Sequence, residues 1–159
     1  MTGTYVDSDG STPDRGPALP NPSREEQVLS IELHTAATPV VIPTIRTVAA
    51  DLAARADFDL DSIDDLRMAV DDVCAMLVRI AALNARLSCT FTVRAERIEL
   101  AAEVDADDSA DPLPTRSFGW RVLESLTDEV SVQCLPGAQG QRGRVCITLA
   151  KGAVPASQT

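Results

Sequence analysis

The sequence predicts a two-layer α+β sandwich: a mostly antiparallel, mixed sheet with helices on one face. Two observations carry this. Every strand-like segment alternates apolar and polar residues, so the sheet has one packed and one wet face. The elements run β-α-α-β-β-α-β-β, without the strict βα alternation and continuous Val/Ile-rich strands of a doubly wound parallel sheet. A chain of 159 residues, 45% of them hydrophobic, is one domain's worth with enough apolar surface for a core.

Residues 1–27 hold seven of the 18 Gly and Pro, interspersed with Ser, Asp and Asn. Such a segment buries too little apolar surface to offset its ordering entropy, so a disordered tail is expected there. The folded body is expected over 28–151, with a short tail at 152–159. Leu29, Ile31 and Leu33 alternate with Ser30, Glu32 and His34, a half-buried strand with His34 on its polar side. Thr38, Pro39 and Pro43 suit a helix start, after which Ile45, Val48, Ala49, Leu52 and Ala56 share a face.

A second helix is expected with Asp61 or Ser62 as its cap and Asp64 or Asp65 three residues on. Its apolar residues Ile63, Leu66, Val70, Val73, Leu77 and Ile80 step by three and four, as a core face requires. A hairpin follows: Leu87, Cys89, Phe91 and Val93, then Ile98, Leu100 and Ala102, turning near Ala95-Glu96. After an acidic, Pro-containing loop at 104–115, Phe118, Val122, Leu123 and Leu126 make one face of a short helix over 116–127. Strands at Val130–Cys134 and Arg144–Leu149, joined through Pro136-Gly137 and Gly140–Gly143, complete the chain as a hairpin.

The 24 acids exceed the 14 bases, for a net charge of −10. That balance excludes roles resting on phosphate-backbone attraction, so no nucleic-acid partner is expected. No stretch approaches the ~18 apolar residues of a membrane helix, and the first residues lack a signal peptide's basic and apolar regions. A cytoplasmic protein that binds proteins or small molecules is expected. Seven Asp fall in 57–72 and five acids in 103–111, which is half of all the carboxylates. Part of the first cluster suits a helix N-terminus, where the dipole favours negative charge. Cys74, Cys89, Cys134 and Cys146 are scattered and His34 is the only histidine, so no Cys/His metal site is expected.

Asp65-Leu-Arg-Met-Ala-Val-Asp-Asp-Val-Cys-Ala-Met (65–76) resembles the N-box helix of GHKL-type ATPases, with the Bergerat fold. More narrowly, it is similar to the anti-sigma factor kinases of the RsbW and SpoIIAB type, where the segment reads roughly L-A-V-x-E-A-x-x-N. Ser117-Phe-Gly-Trp-Arg-Val-Leu-Glu-Ser-Leu-Thr-Asp-Glu-Val (117–130) resembles the family's G-x-G-hydrophobic helix ending in D-E-V. Gly143-Arg-Val-Cys-Ile-Thr-Leu resembles its last strand. The likeness covers 28–151 and looks closest to the actinobacterial UsfX/RsbW anti-sigma-F branch.

The resemblance implies roles. Asp72 matches the general-base carboxylate, although Asp is one methylene shorter than Glu and changes its reach by about 1 Å. Met76 replaces the Asn that holds magnesium, and a thioether is a poor ligand for a hard cation. The adenine motif D-x-G-x-G is represented by Val104-Asp-Ala-Asp-Asp-Ser without glycines, with Asp105 the first candidate for the adenine contact and Asp107 the second. Ser117 and Gly119 stand in the phosphate lid, with Arg116 beside them. ATP and Mg are therefore candidate cofactors of a degenerate site.

The implied function is a homodimeric anti-sigma factor that sequesters an alternative sigma factor of the stress or development type. A STAS-type anti-anti-sigma factor would release it, and Arg46 on the first long helix is the candidate partner contact. An active serine-protein kinase acting on the anti-anti-sigma factor is the rival reading. A degenerate GHKL module with another protein partner is the third.

Overall fold

Alternation makes the sheet one-sided. Strands β1 (Leu29–Ala36), β2 (Arg86–Arg94), β3 (Arg97–Asp105), β4 (Glu129–Leu135) and β5 (Arg144–Gly152) lie in the order β1-β2-β3-β5-β4. The computed structural model describes residue 3 and residues 27–107, 113–138 and 143–154. Most of the expected tails, and the expected turn residue Gly140, lie outside these residues. Every strand pairing is antiparallel, so the expected mixed sheet is antiparallel throughout. In β3, Ile98, Leu100, Ala102 and Val104 are buried on the inner face. Arg97, on the outer face, bonds Glu99 and Glu129 at 3.0 Å each. Glu96 takes φ 60 in the tight β2–β3 turn, where the sequence places it. β5 continues to Gly152, which pairs with Arg97, so ordered strand extends one residue into the expected C-terminal tail.

Helices α1 (Ile42–Arg55), α2 (Leu60–Ile80) and α3 (Phe118–Leu126) form the second layer, and a short 3-10 turn at Pro39–Val41 leads into α1. Ile45, Ala49 and Leu52 of α1 are buried at the predicted spacing. On α2, Leu66, Ala69, Val70, Val73, Cys74 and Leu77 are wholly inaccessible. This stripe is the middle of the core, which also takes in Phe91, Leu100, Leu123 and Ile147. The four cysteines are free thiols: Cys74 and Cys89 are buried, Cys146 is half-buried and Cys134 is exposed. His34 sits on the outer face with its Nδ1 3.0 Å from the Ser88 hydroxyl.

Two local expectations are corrected. The cap of α2 is Asp59, not Asp61 or Ser62. Asp57 turns the chain through φ 58, Phe58 drops into the core, and Asp59 is left extended at the helix mouth. The Ser62 amide donates to Asp59 Oδ1 at 2.8 Å and its hydroxyl to Oδ2 at 2.9 Å. Phe118 was expected on the buried face of α3, yet it is 83% exposed. With Ser117 as cap, Trp120, Leu123 and Leu126 form the inner face, and Phe118 stands about 200° round the helix from Trp120.

The hydrogen bonds from Ser62 hold the Asp59 carboxyl below the usual aspartate range. A depressed folded-state value means stability that is present above the unfolded value of 3.8 and lost as pH falls through the folded value. Asp59→Ala should therefore lower the melting temperature by roughly 2–5 °C at pH 7. That deficit should shrink in scans taken at progressively lower pH below the unfolded value.

Candidate functional site

The 21-residue α2 exposes one side of itself, and the start of α3 abuts it. Asp72 and Met76 stand one turn apart on α2, both half-buried. Across from them, Ser117 caps α3 by accepting a hydrogen bond from the Trp120 amide at 3.2 Å. A Cβ added to Gly119 would lie 3.7 Å from Met76 Cε and 3.8 Å from Ser117 Oγ. The structure thus brings together Met76, Ser117 and Gly119, with exposed Arg116 immediately before the cap. The methyl end of Met76 faces the backbone of the lid-like turn.

Charge on α2 is largely compensated, and sequence spacing alone shows none of the long-range pairs. Arg46 of α1 donates from Nη1 to Asp71 Oδ1 at 2.9 Å, tying the two helices together. Lys151, the only lysine, continues the inward alternation of β5 and reaches Asp65 at 3.1 Å. Arg67 pairs with Asp64 one turn back at 3.2 Å. Asp72 has neither an ion pair nor a hydrogen bond among the described residues. Burial first, and then the neighbouring Asp71 charge, push its carboxyl above the usual aspartate value.

Asp105 is not brought to this group. It ends β3 on the outer face, exposed, where Arg144 Nε bonds its Oδ1 at 3.3 Å. The inward series Ile98, Leu100, Ala102 and Val104 makes that side inevitable, since strand neighbours point to opposite faces. A concavity of about 710 Å³ lined by Asp105, Arg144, Asn84 and Leu135 opens at that end, with neither Asp72 nor Met76 in its wall. Asp107 lies past the strand, and its amide donates to the Ile80 carbonyl at the end of α2, at 2.8 Å. Of the two acids singled out for the adenine contact, Asp107 is therefore the one joined to the helix that carries Asp72.

The residues present do not fit the magnesium-bridged triphosphate that the resemblance implies. A hard cation needs oxygen ligands, and the position that should supply one offers a thioether whose methyl group points at Gly119. No group of three or more His, Cys, Asp or Glu side chains among the described residues is arranged to hold a metal. What the arrangement offers instead is a surface. Met68, one turn before Asp72 on α2, is 54% exposed, so an apolar side chain stands beside a carboxylate without a cation among the described residues.

No protein-family model matches the chain. It is 35% identical over 112 residues to the anti-sigma-F factor RsbW of Mycobacterium tuberculosis (strains CDC 1551 / Oshkosh and ATCC 25618 / H37Rv). That match covers 70% of this chain and 66% of the mycobacterial protein, just under two thirds of its length. It is also 30% identical over 123 residues to the serine-protein kinase RsbW of Bacillus subtilis (strain 168), covering 65% of this chain and 77% of that protein.

Because the folded state holds the Asp72 proton more tightly than the unfolded chain does, this group adds stability below the unfolded value of 3.8. It withdraws that stability as pH rises through the folded value. Asp72→Asn should raise the melting temperature at pH 7 by roughly 1–2 °C, a small effect because the group is partly solvated. The gain should vanish when the scans are repeated near pH 3.

Proposed function

Because this chain belongs to the RsbW family of anti-sigma factors and serine-protein kinases, we propose that it is itself an anti-sigma factor. Through its folded body, expected over 28–151 and carried by β5 to Gly152, it sequesters an alternative sigma factor as a cytoplasmic homodimer, and an anti-anti-sigma factor releases it. The observation that carries this reading is Met76 facing Gly119. The helix that would serve phosphoryl transfer is kept, while the position for its metal ligand is filled by an apolar group. Binding then outlasts chemistry. A net charge of −10 suits a basic partner, since opposite charge speeds encounter and sharpens specificity. Sigma factors carry basic DNA-binding surfaces.

Arg46 is the charged contact proposed on α1, and its bond to Asp71 gives the guanidinium a fixed starting position. Titration of the purified chain against each sigma factor of the same genome should yield saturable binding to at least one. The binding should weaken as salt is raised. No saturable binding to any of them would sink the reading.

One observation favours a second reading, an active serine-protein kinase. The raised Asp72 carboxyl lies nearer neutrality than an ordinary aspartate, as a general base requires. In that case ATP with magnesium should raise the melting temperature and leave a phosphoserine on the anti-anti-sigma partner. Asp72→Ala should abolish the phosphoserine. If neither melting temperature nor partner mass shifts, the chain is a binding protein only.

A further inference from the structure

Met68 occupies an unusual place on α2. Its neighbours at three and four residues in both directions, the positions that share its helix face, are Asp64, Asp65, Asp71 and Asp72. Three of these four carboxylates already have cations: Arg67 on Asp64, Lys151 on Asp65, and Arg46 on Asp71. Among the described residues, Asp72 alone of the four has none. The result is a 54% exposed, flexible thioether side chain beside a carboxylate that no described cation pairs. The face continues past Asp72 to Met76 and, across the contact with Gly119, to the lid where Phe118 stands exposed.

An exposed methionine beside a half-buried carboxylate makes a mixed apolar and anionic spot, and its chemistry selects what can cover it. A free acid or anion is repelled, and a purely apolar segment would bury Asp72 without a partner, which is costly. An Arg or Lys satisfies both features at once, laying its alkyl stem along Met68 and delivering its charge to Asp72. A methionine suits such a contact because its unbranched, polarisable side chain repacks around varied shapes.

We infer that the α2 face from Met68 to Asp72 is the docking surface for a cationic and apolar segment of the sigma factor. One Arg or Lys of that segment pairs with Asp72, and an apolar neighbour packs on Met68. This inference rests on the anti-sigma reading and names the part of the chain that does the holding. It also gives Asp72 a role that needs no nucleotide: it is an anchor for a partner's cation.

The test is calorimetric titration of the full chain with the sigma factor it retains, at two salt concentrations, using Asp72→Asn, Met68→Ser and Asp64→Asn. Asp72→Asn keeps the side chain's shape and is expected to gain thermal stability, so a loss of binding without a lower melting temperature is not misfolding. The expected result is affinity about tenfold lower for Asp72→Asn, with a shallower salt dependence, and several-fold lower for Met68→Ser. Asp64→Asn, already neutralised by Arg67, should stay within about twofold. If the unaltered chain binds and Asp72→Asn and Met68→Ser both bind equally well, the docking face is wrong and the anti-sigma reading stands. If the unaltered chain binds no sigma factor, the reading falls and takes the docking face with it.

Discussion

The whole molecule depends on one helix being dry on one side. The inner stripe of α2, from Leu66 to Leu77, has no accessible surface. Burying six such side chains, at up to ~2 kcal/mol for each large one, makes this interface a major part of the core's stabilisation. It also fixes the rotation of α2 about its own axis. Once Val70, Val73 and Leu77 face the sheet, Met68 must face outward and Asp72 and Met76 must stand at the border. The candidate site is thus a by-product of core packing, with no freedom to turn elsewhere.

The border is where compensation fails. Arg46, Arg67 and Lys151 each take one aspartate of α2, Arg46 tying α1 to α2 within the helical layer and Lys151 tying the sheet to α2. Exposed pairs of this kind stabilise little by themselves. Their effect is to leave Asp72 as the one aspartate of the four around Met68 without a cation among the described residues, half-buried and with a raised carboxyl. A group held in this way either moves a proton or meets a cation, and both uses follow from the same environment. One turn on, Met76 offers a thioether where a hard cation would need oxygen.

Much of this was legible from spacing. The alternation of β2 and β3 predicted their faces, and the three- and four-residue steps of α2 predicted its buried stripe. The same period-two count already put Asp105 on the wet face, opposite to the inward Val104, although the family likeness drew attention to it as a contact. The cap of α2 was not legible, because 57–62 holds Asp57, Asp59, Asp61 and Ser62, all competent caps by type. The left-handed turn at Asp57 chose among them. The exposure of Phe118 was hidden for a similar reason: the phase of a nine-residue helix depends on which residue caps it.

The sequence by itself determined the one-sided sheet, the order of elements, the amphipathic α2 and the family, because each depends on residues near one another along the chain or on a recurring local motif. Only the tertiary structure decided which charges are matched. Arg46 meets Asp71 and Lys151 meets Asp65 across 25 and 86 residues. No local period encodes such pairings, since they follow from how helix packs on helix and sheet on helix. The opposition of Met76 to Gly119 has the same origin. It sets a thioether methyl, in place of an oxygen ligand, against the start of α3.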